Sequence, residues 1–187
     1  PYLSISSEII EKMVKILSLP VDPIWQFSGY NGTSKINVIM AYITWFMNLK
    51  HNPRPIGKRL RTPAIVTESS IKAQQSLKEI HHYVSKKPSE ATEYLDTLSP
   101  YVLFILYHTI NDQKITDMIY QYISHWKKVK PFISGEDLEK AGITPGPVYK
   151  KILSRLRKAW LDEEIRSVEH ENILLDEVLA SLSENEK

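Results

Sequence analysis

At 187 residues, 42% hydrophobic and 25% charged, the chain suits one sizeable globular domain or two small ones, with enough apolar material for a core. It contains no cysteine, which excludes disulfides, thiolate zinc sites and cysteine nucleophiles and fits a reducing, cytoplasmic setting. A net charge of +2 conceals a sorting of sign: Pro23 to Thr67 holds no acid against Lys35, Lys50, Arg54, Lys58, Arg59 and Arg61, whereas nine acids after Leu161 face only Arg166 and Lys187. Such sorting suggests a polyanion partner, or two segments of opposite sign that pack against each other.

Ser6-Ser7-Glu8 opens a helix with Ile9, Ile10, Met13, Ile16 and Leu17 on one side, running to Leu19. Asp22-Pro23 starts a short turn through Trp25 and Phe27 that Gly29 ends. Thr33-Ser34 caps a helix from Lys35 to Leu49, apolar on nearly every side and so expected at the centre of the core. Asn37, Thr44 and Asn48 interrupt it and it is too short for a bilayer, so no membrane span is expected. Asn52 to Pro63, with three prolines and Gly57, reads as an irregular basic loop.

Thr67 then caps a helix to about Ser85, Pro88-Ser89-Glu90 one to Leu98, and Ser99-Pro100 one through Ile110. Ile115, Met118, Ile119, Tyr122, Ile123, Trp126 and Val129 form the clearest stripe. Ser167 caps a last amphipathic helix with Ile173, Leu174, Val178, Leu179 and Leu182. No segment alternates convincingly over strand length. The expectation is an all-α, compact bundle of about eight or nine short helices without a sheet, divided into residues 1–66 with the basic loop and a body and tail over 67–187.

Between the stripe and the tail lies a helical hairpin, Pro131 to Ile165. Ser134 caps a short helix, Gly142 stops it, Pro145-Gly146-Pro147 turns the chain, and a long helix starts with proline at its first position. From Ile143 to Trp160 there are five basic residues, Lys150, Lys151, Arg155, Arg157 and Lys158, and no acid. The unpaired N–H groups beyond Gly146 and these cations could grip a nucleic-acid backbone, with Tyr149 as the one aromatic residue placed to meet a base. Equally, Gly142 and Pro147 could punctuate two packed helices whose basic side is solvated.

Catalytic constellations are weak. Glu169 and Glu171 flank His170 but point to opposite sides of a helix, a solvated face, and of the adjacent His81 and His82 one is expected to pack and one to be exposed. There is no nucleophile elbow, phosphate-binding loop, zinc-protease helix or Asp-x-Asp pair, and hence no expected catalytic or metal residue.

Lys87-Pro88-Ser89-Glu90, Ser99-Pro100, His125-Trp126-Lys127-Lys128-Val129-Lys130-Pro131, Ile133-Ser134-Gly135-Glu136-Asp137-Leu138, Gly142-Ile143-Thr144-Pro145-Gly146-Pro147, Ile152-Leu153 and Leu161-Asp162 together resemble the C-terminal part of bacterial-type CCA-adding enzymes and their poly(A) polymerase relatives, over about Thr67 to Ile173. The resemblance implies a helical body and tail that holds the acceptor and T-stem side of tRNA by its backbone, in a tRNA nucleotidyltransferase. It implies a separate N-terminal head with a Gly-Gly or Gly-Ser turn and paired carboxylates for two magnesium ions and nucleoside triphosphates. Neither dipeptide occurs here, so the chain is expected to lack that head. It departs from the family at Lys150 and Glu163, where glycine is usual. Other readings are a helix-hairpin-helix-like DNA-binding module, on Gly142 to Pro147, and a structural or dimerising domain.

Overall fold

The computed structural model describes residues 5–27 and 33–184, and these form ten α-helices and no strand. Gly29 and Tyr30 lie outside the described residues, as do the side chains of Thr33, Ser34 and Leu182. The helices are α1 (Ser7–Ser18), α2 (Thr33–Met47), α3 (Pro53–Leu60), α4 (Ala64–Glu79), α5 (Pro88–Leu95), α6 (Pro100–Thr109), α7 (Gln113–Ser124), α8 (Gly135–Lys140), α9 (Pro147–Leu161) and α10 (Val168–Glu184). Three 3-10 turns, Pro23–Trp25, Ile80–Tyr83 and Trp126–Lys128, join them.

Local chemistry sets most starts. The hydroxyls of Ser6 and Ser99 accept from the N–H groups of Ile9 and Val102, and the Asp112 carboxylate accepts from Lys114. At Asp22 the same contact, to Ile24, opens the first 3-10 turn as expected.

The basic stretch after α2 is a helix, not a loop. Asn52 caps it by accepting from the Arg54 N–H, and Pro53 and Pro55 occupy its first and third positions, whose N–H groups have no partner within a helix anyway. Pro63 comes after its end. Gly57 is buried against α4, where a Cβ would overlap the Thr67 hydroxyl, so the missing side chain lets the two helices approach. Accordingly α4 begins at Ala64, before the expected cap Thr67, and gives way to the 3-10 turn at Ile80 rather than continuing to Ser85.

The larger core draws on α1, α2, α4, α5, α6 and α7. Its centre is α6, whose residues Tyr101 to Leu106 are all buried, and the Phe104 ring meets Trp25 edge-on at 5.0 Å. As expected, α2 is central as well: Ile36, Ile39, Met40, Ala41, Ile43, Phe46 and Met47 are buried, while Val38 and Tyr42 on its outer side are 46% and 40% exposed. The stripe on α7 runs on through the 3-10 turn that carries Trp126. A smaller core of Ile133, Leu138, Ile152 and Leu156 lies under α8, α9 and α10.

Three contacts tie the small core to the large one. Arg157 on α9 donates to the Asp96 carboxylate at 2.6 Å and to the Val129 carbonyl, and the Tyr122 hydroxyl donates to the other Asp96 oxygen at 2.8 Å. Burial, with the bond to Asp96 and its charge, pushes the Tyr122 phenol up from its ordinary pKa. Asp162, just after α9, accepts from both the N–H and the hydroxyl of Ser89 at the start of α5. Lys158 pairs with Glu93 of α5 at 2.9 Å.

Candidate nucleic-acid interface

The hairpin forms as the sequence suggests. Ser134 and Asp137 make a reciprocal capping box at the start of α8, and the Ser134 hydroxyl and N–H hold the Asp137 carboxyl below its ordinary pKa. Gly142 stands at φ +81°, and the bonds Gly142 N–H to Glu139 and Ile143 N–H to Leu138 close α8 in a Schellman end that needs the left-handed conformation. Thr144, Pro145, Gly146 and Pro147 are all exposed. Gly146 is extended, at φ 170°, and nothing crowds a Cβ there. Pro147 has no N–H, the Tyr149 N–H bonds back to the Gly146 carbonyl at 3.0 Å, and no side chain caps the start of α9.

The expected site residues do not act together. Lys150 and Lys151 are exposed and meet no acid among the described residues. Arg155 pairs with Glu164 at 2.8 Å, Arg157 with Asp96, and Lys158 with Glu93. For these three the plainer expectation of a solvated basic side is corrected, because each is drawn into an ion pair within the fold. Lys150 and Lys151 near the start of α9 project into solvent, whereas Arg157 and Lys158 near its end dock on α5 and the residue that follows it, and Arg155 pairs with Glu164 beyond the end of α9 itself.

Tyr149 also has an internal role. Its hydroxyl donates to the Ile143 carbonyl at 2.9 Å, its ring lies over Gly135 and the small core, and burial raises its pKa. The hydrogen bond closes the turn that Gly146 opens, so the half-buried ring braces the hairpin.

Sequence reasoning missed Glu171. It is fully buried, and its carboxylate accepts from the N–H groups of Phe132 and Ile133 and from the Trp160 indole. The reading of Glu169 and Glu171 as one solvated face is corrected: Glu169 is exposed, whereas Glu171 holds α10 to the hairpin. The expectation that one of His81 and His82 packs is corrected too, because both are exposed.

Glu163, where the resembled family has glycine, sits at φ +55°. The bonds Glu163 N–H to Trp160 and Glu164 N–H to Ala159 make it the left-handed residue of a Schellman end, the position glycine occupies most easily. Among the described residues, no cluster of three or more His, Asp or Glu side chains could hold a metal, and no helix is long and apolar enough to cross a membrane. The chain matches no protein family, no curated protein and no solved structure.

Proposed function

We propose that this chain binds RNA through its sugar-phosphate backbone, with tRNA as the ligand and a tRNA nucleotidyltransferase of the CCA-adding or poly(A) polymerase type as the parent activity. One observation carries the reading: the first turn of α9, which no side chain caps, stands beside two exposed cations, Lys150 and Lys151, that meet no acid among the described residues. A helix start of this kind favours an anion, and two lysines add charge without reading sequence. The motif resemblance narrows the anion to tRNA. Nucleotide addition, with its magnesium and triphosphates, belongs in this reading to a head outside the chain.

Because Arg155, Arg157 and Lys158 are committed to acids, the hairpin contributes about two phosphate contacts, a salt slope of roughly −2 from this element. The test is titration of labelled tRNA and of duplex DNA at several salt concentrations, with the wild type and a Lys150→Ala, Lys151→Ala double variant. Weakening of tRNA binding by salt and by the double variant supports the reading. Equal affinity for duplex DNA moves the assignment to a hairpin DNA module, and a salt-independent response overturns it.

A further inference from the structure

We propose that α3 is a second phosphate-contacting surface of the chain, a cationic track separate from the α8–α9 hairpin; this rests on the RNA-binding reading above. Arg54, Lys58, Arg59 and Arg61 fall within eight positions, and all four side chains are exposed. Arg54 alone among them meets an acid, Glu68 at 3.0 Å, in a pair so open to solvent that it leaves the charge largely available. Arg54 and Lys58 stand at i and i+4 on one side of the helix, and Arg61 follows just after its end. Beside its start, a shallow polar groove between α3 and α4 is lined by Asn52, Arg54, Gln75 and Lys78. That groove extends the row of donors.

Arg61 ends α3 at φ +52°, with the Thr62 N–H bonded back to Gly57, a conformation that Gln26 and Glu163 share and that glycine adopts most easily. The conformation itself marks no site; what Arg61 adds is an exposed charge with no acid partner among the described residues.

A nucleic-acid backbone fits this surface better than a lipid surface does. A helix that lies on a membrane turns an apolar face outward. Here Pro53 and Gly57 are buried on α4, Ile56 is half-buried, and Leu60 is the one large apolar side chain of α3 that is exposed. What α3 offers outward is charge, at the spacing of one helical turn.

The test compares the wild type with three variants, Lys58→Ala/Arg59→Ala, Arg61→Gly and Lys150→Ala/Lys151→Ala, by tRNA titration against salt, with anionic phosphatidylserine vesicles as a second probe. The Lys58/Arg59 variant is expected to lower tRNA affinity about 5- to 30-fold at low salt and to reduce the salt slope by about two. Arg61→Gly is expected to weaken tRNA binding while raising thermal stability, which a purely structural arginine would not do. If tRNA binds and only the Lys150/Lys151 variant weakens it, α3 is not a contact and the hairpin reading stands. If only the α3 variants weaken it, the hairpin reading fails and this one stands. Absence of tRNA binding in the wild type, or tighter binding to vesicles than to tRNA, overturns the α3 assignment.

Discussion

Asp162 caps a helix to which it does not belong. Its two carboxylate oxygens accept from the N–H and the hydroxyl of Ser89, at 2.8 and 2.7 Å, and thereby close the first turn of α5 from 73 residues away. Pro88 begins that helix and Lys87 makes no side-chain cap, so Asp162 supplies what a local serine or aspartate supplies at other starts. Asp162→Ala is expected to cost about 1–2 kcal/mol, measured by urea unfolding. Asp162→Asn, which keeps one good acceptor, is expected to lose less. Equal stability of wild type and alanine variant would show that the contact does not hold the two segments.

Glu171 is the one buried acid among the described residues, and three donors converge on it. Removing the carboxylate leaves the Phe132 and Ile133 N–H groups and the Trp160 indole without their acceptor, the Ile133 N–H in a buried place and the other two partly buried. Glu171→Gln keeps the size but turns an amide NH₂ toward groups that can only donate. Glu171→Ala and Glu171→Gln are each expected to destabilise by about 2–4 kcal/mol. Hydrogen exchange separates a local from a global effect: faster exchange at Phe132 and Ile133 is expected before any change in α6.

The His108 ring packs on Phe104 at 4.3 Å and on Trp25 at 6.0 Å, and the Lys15 ammonium donates to the His108 carbonyl. Burial, and then the Lys15 charge, lower its pKa from 6.5 to about 4. Between those values the unfolded chain binds a proton that the folded chain does not, so stability is complete above the unfolded pKa and falls with pH through this window. The loss is expected to reach about 1–2 kcal/mol by pH 4.5, after allowance for solvent screening at a ring that is not fully enclosed. Between pH 6.5 and 5, above the carboxylate range, His108→Phe is expected to flatten the profile. A slope that survives the substitution would assign it to other groups.

The all-α fold was legible because helix starts are written locally. Ser6, Asp22, Ser99, Ser134 and Ser167 each accept from a backbone N–H two or three residues on, a distance at which residue type alone implies the bond. Gly142 was legible for the same reason. The site was less so, since the fate of a cation depends on what the fold brings to it: Arg157 meets Asp96 across 61 positions and Lys158 meets Glu93 across 65. No spacing rule reaches that far. The α3 helix was hidden by composition, because three prolines read as a breaker until their places in the first turn and beyond the end are known.

At Glu163 the chain accepts a left-handed backbone with a side chain that gains little. Its pair with Arg166, at 3.2 Å, is about three-quarters exposed on both sides and adds next to nothing. Glu163→Gly removes the Cβ cost of that conformation, offset in part by the greater freedom of glycine in the unfolded chain. A gain of up to about 1 kcal/mol is expected, seen as a higher midpoint in urea with an unchanged slope. A loss would mean that the Glu163 side chain has a role its exposure does not suggest.

Gly142 and Gly146 bracket the same turn but for different reasons, and alanine separates them. At Gly142 the positive φ penalises any Cβ, so Gly142→Ala is expected to cost about 1–2 kcal/mol of stability. At Gly146 the backbone is extended and open, so Gly146→Ala is expected to leave stability within about 0.5 kcal/mol of wild type. A methyl group at Gly146 would nevertheless stand in front of the first turn of α9, where a phosphate has to approach the backbone. Gly146→Ala is therefore expected to weaken tRNA binding several-fold in a protein as stable as the wild type. Unchanged affinity in that variant would remove the α9 start from the interface and leave the two lysines as its whole contribution.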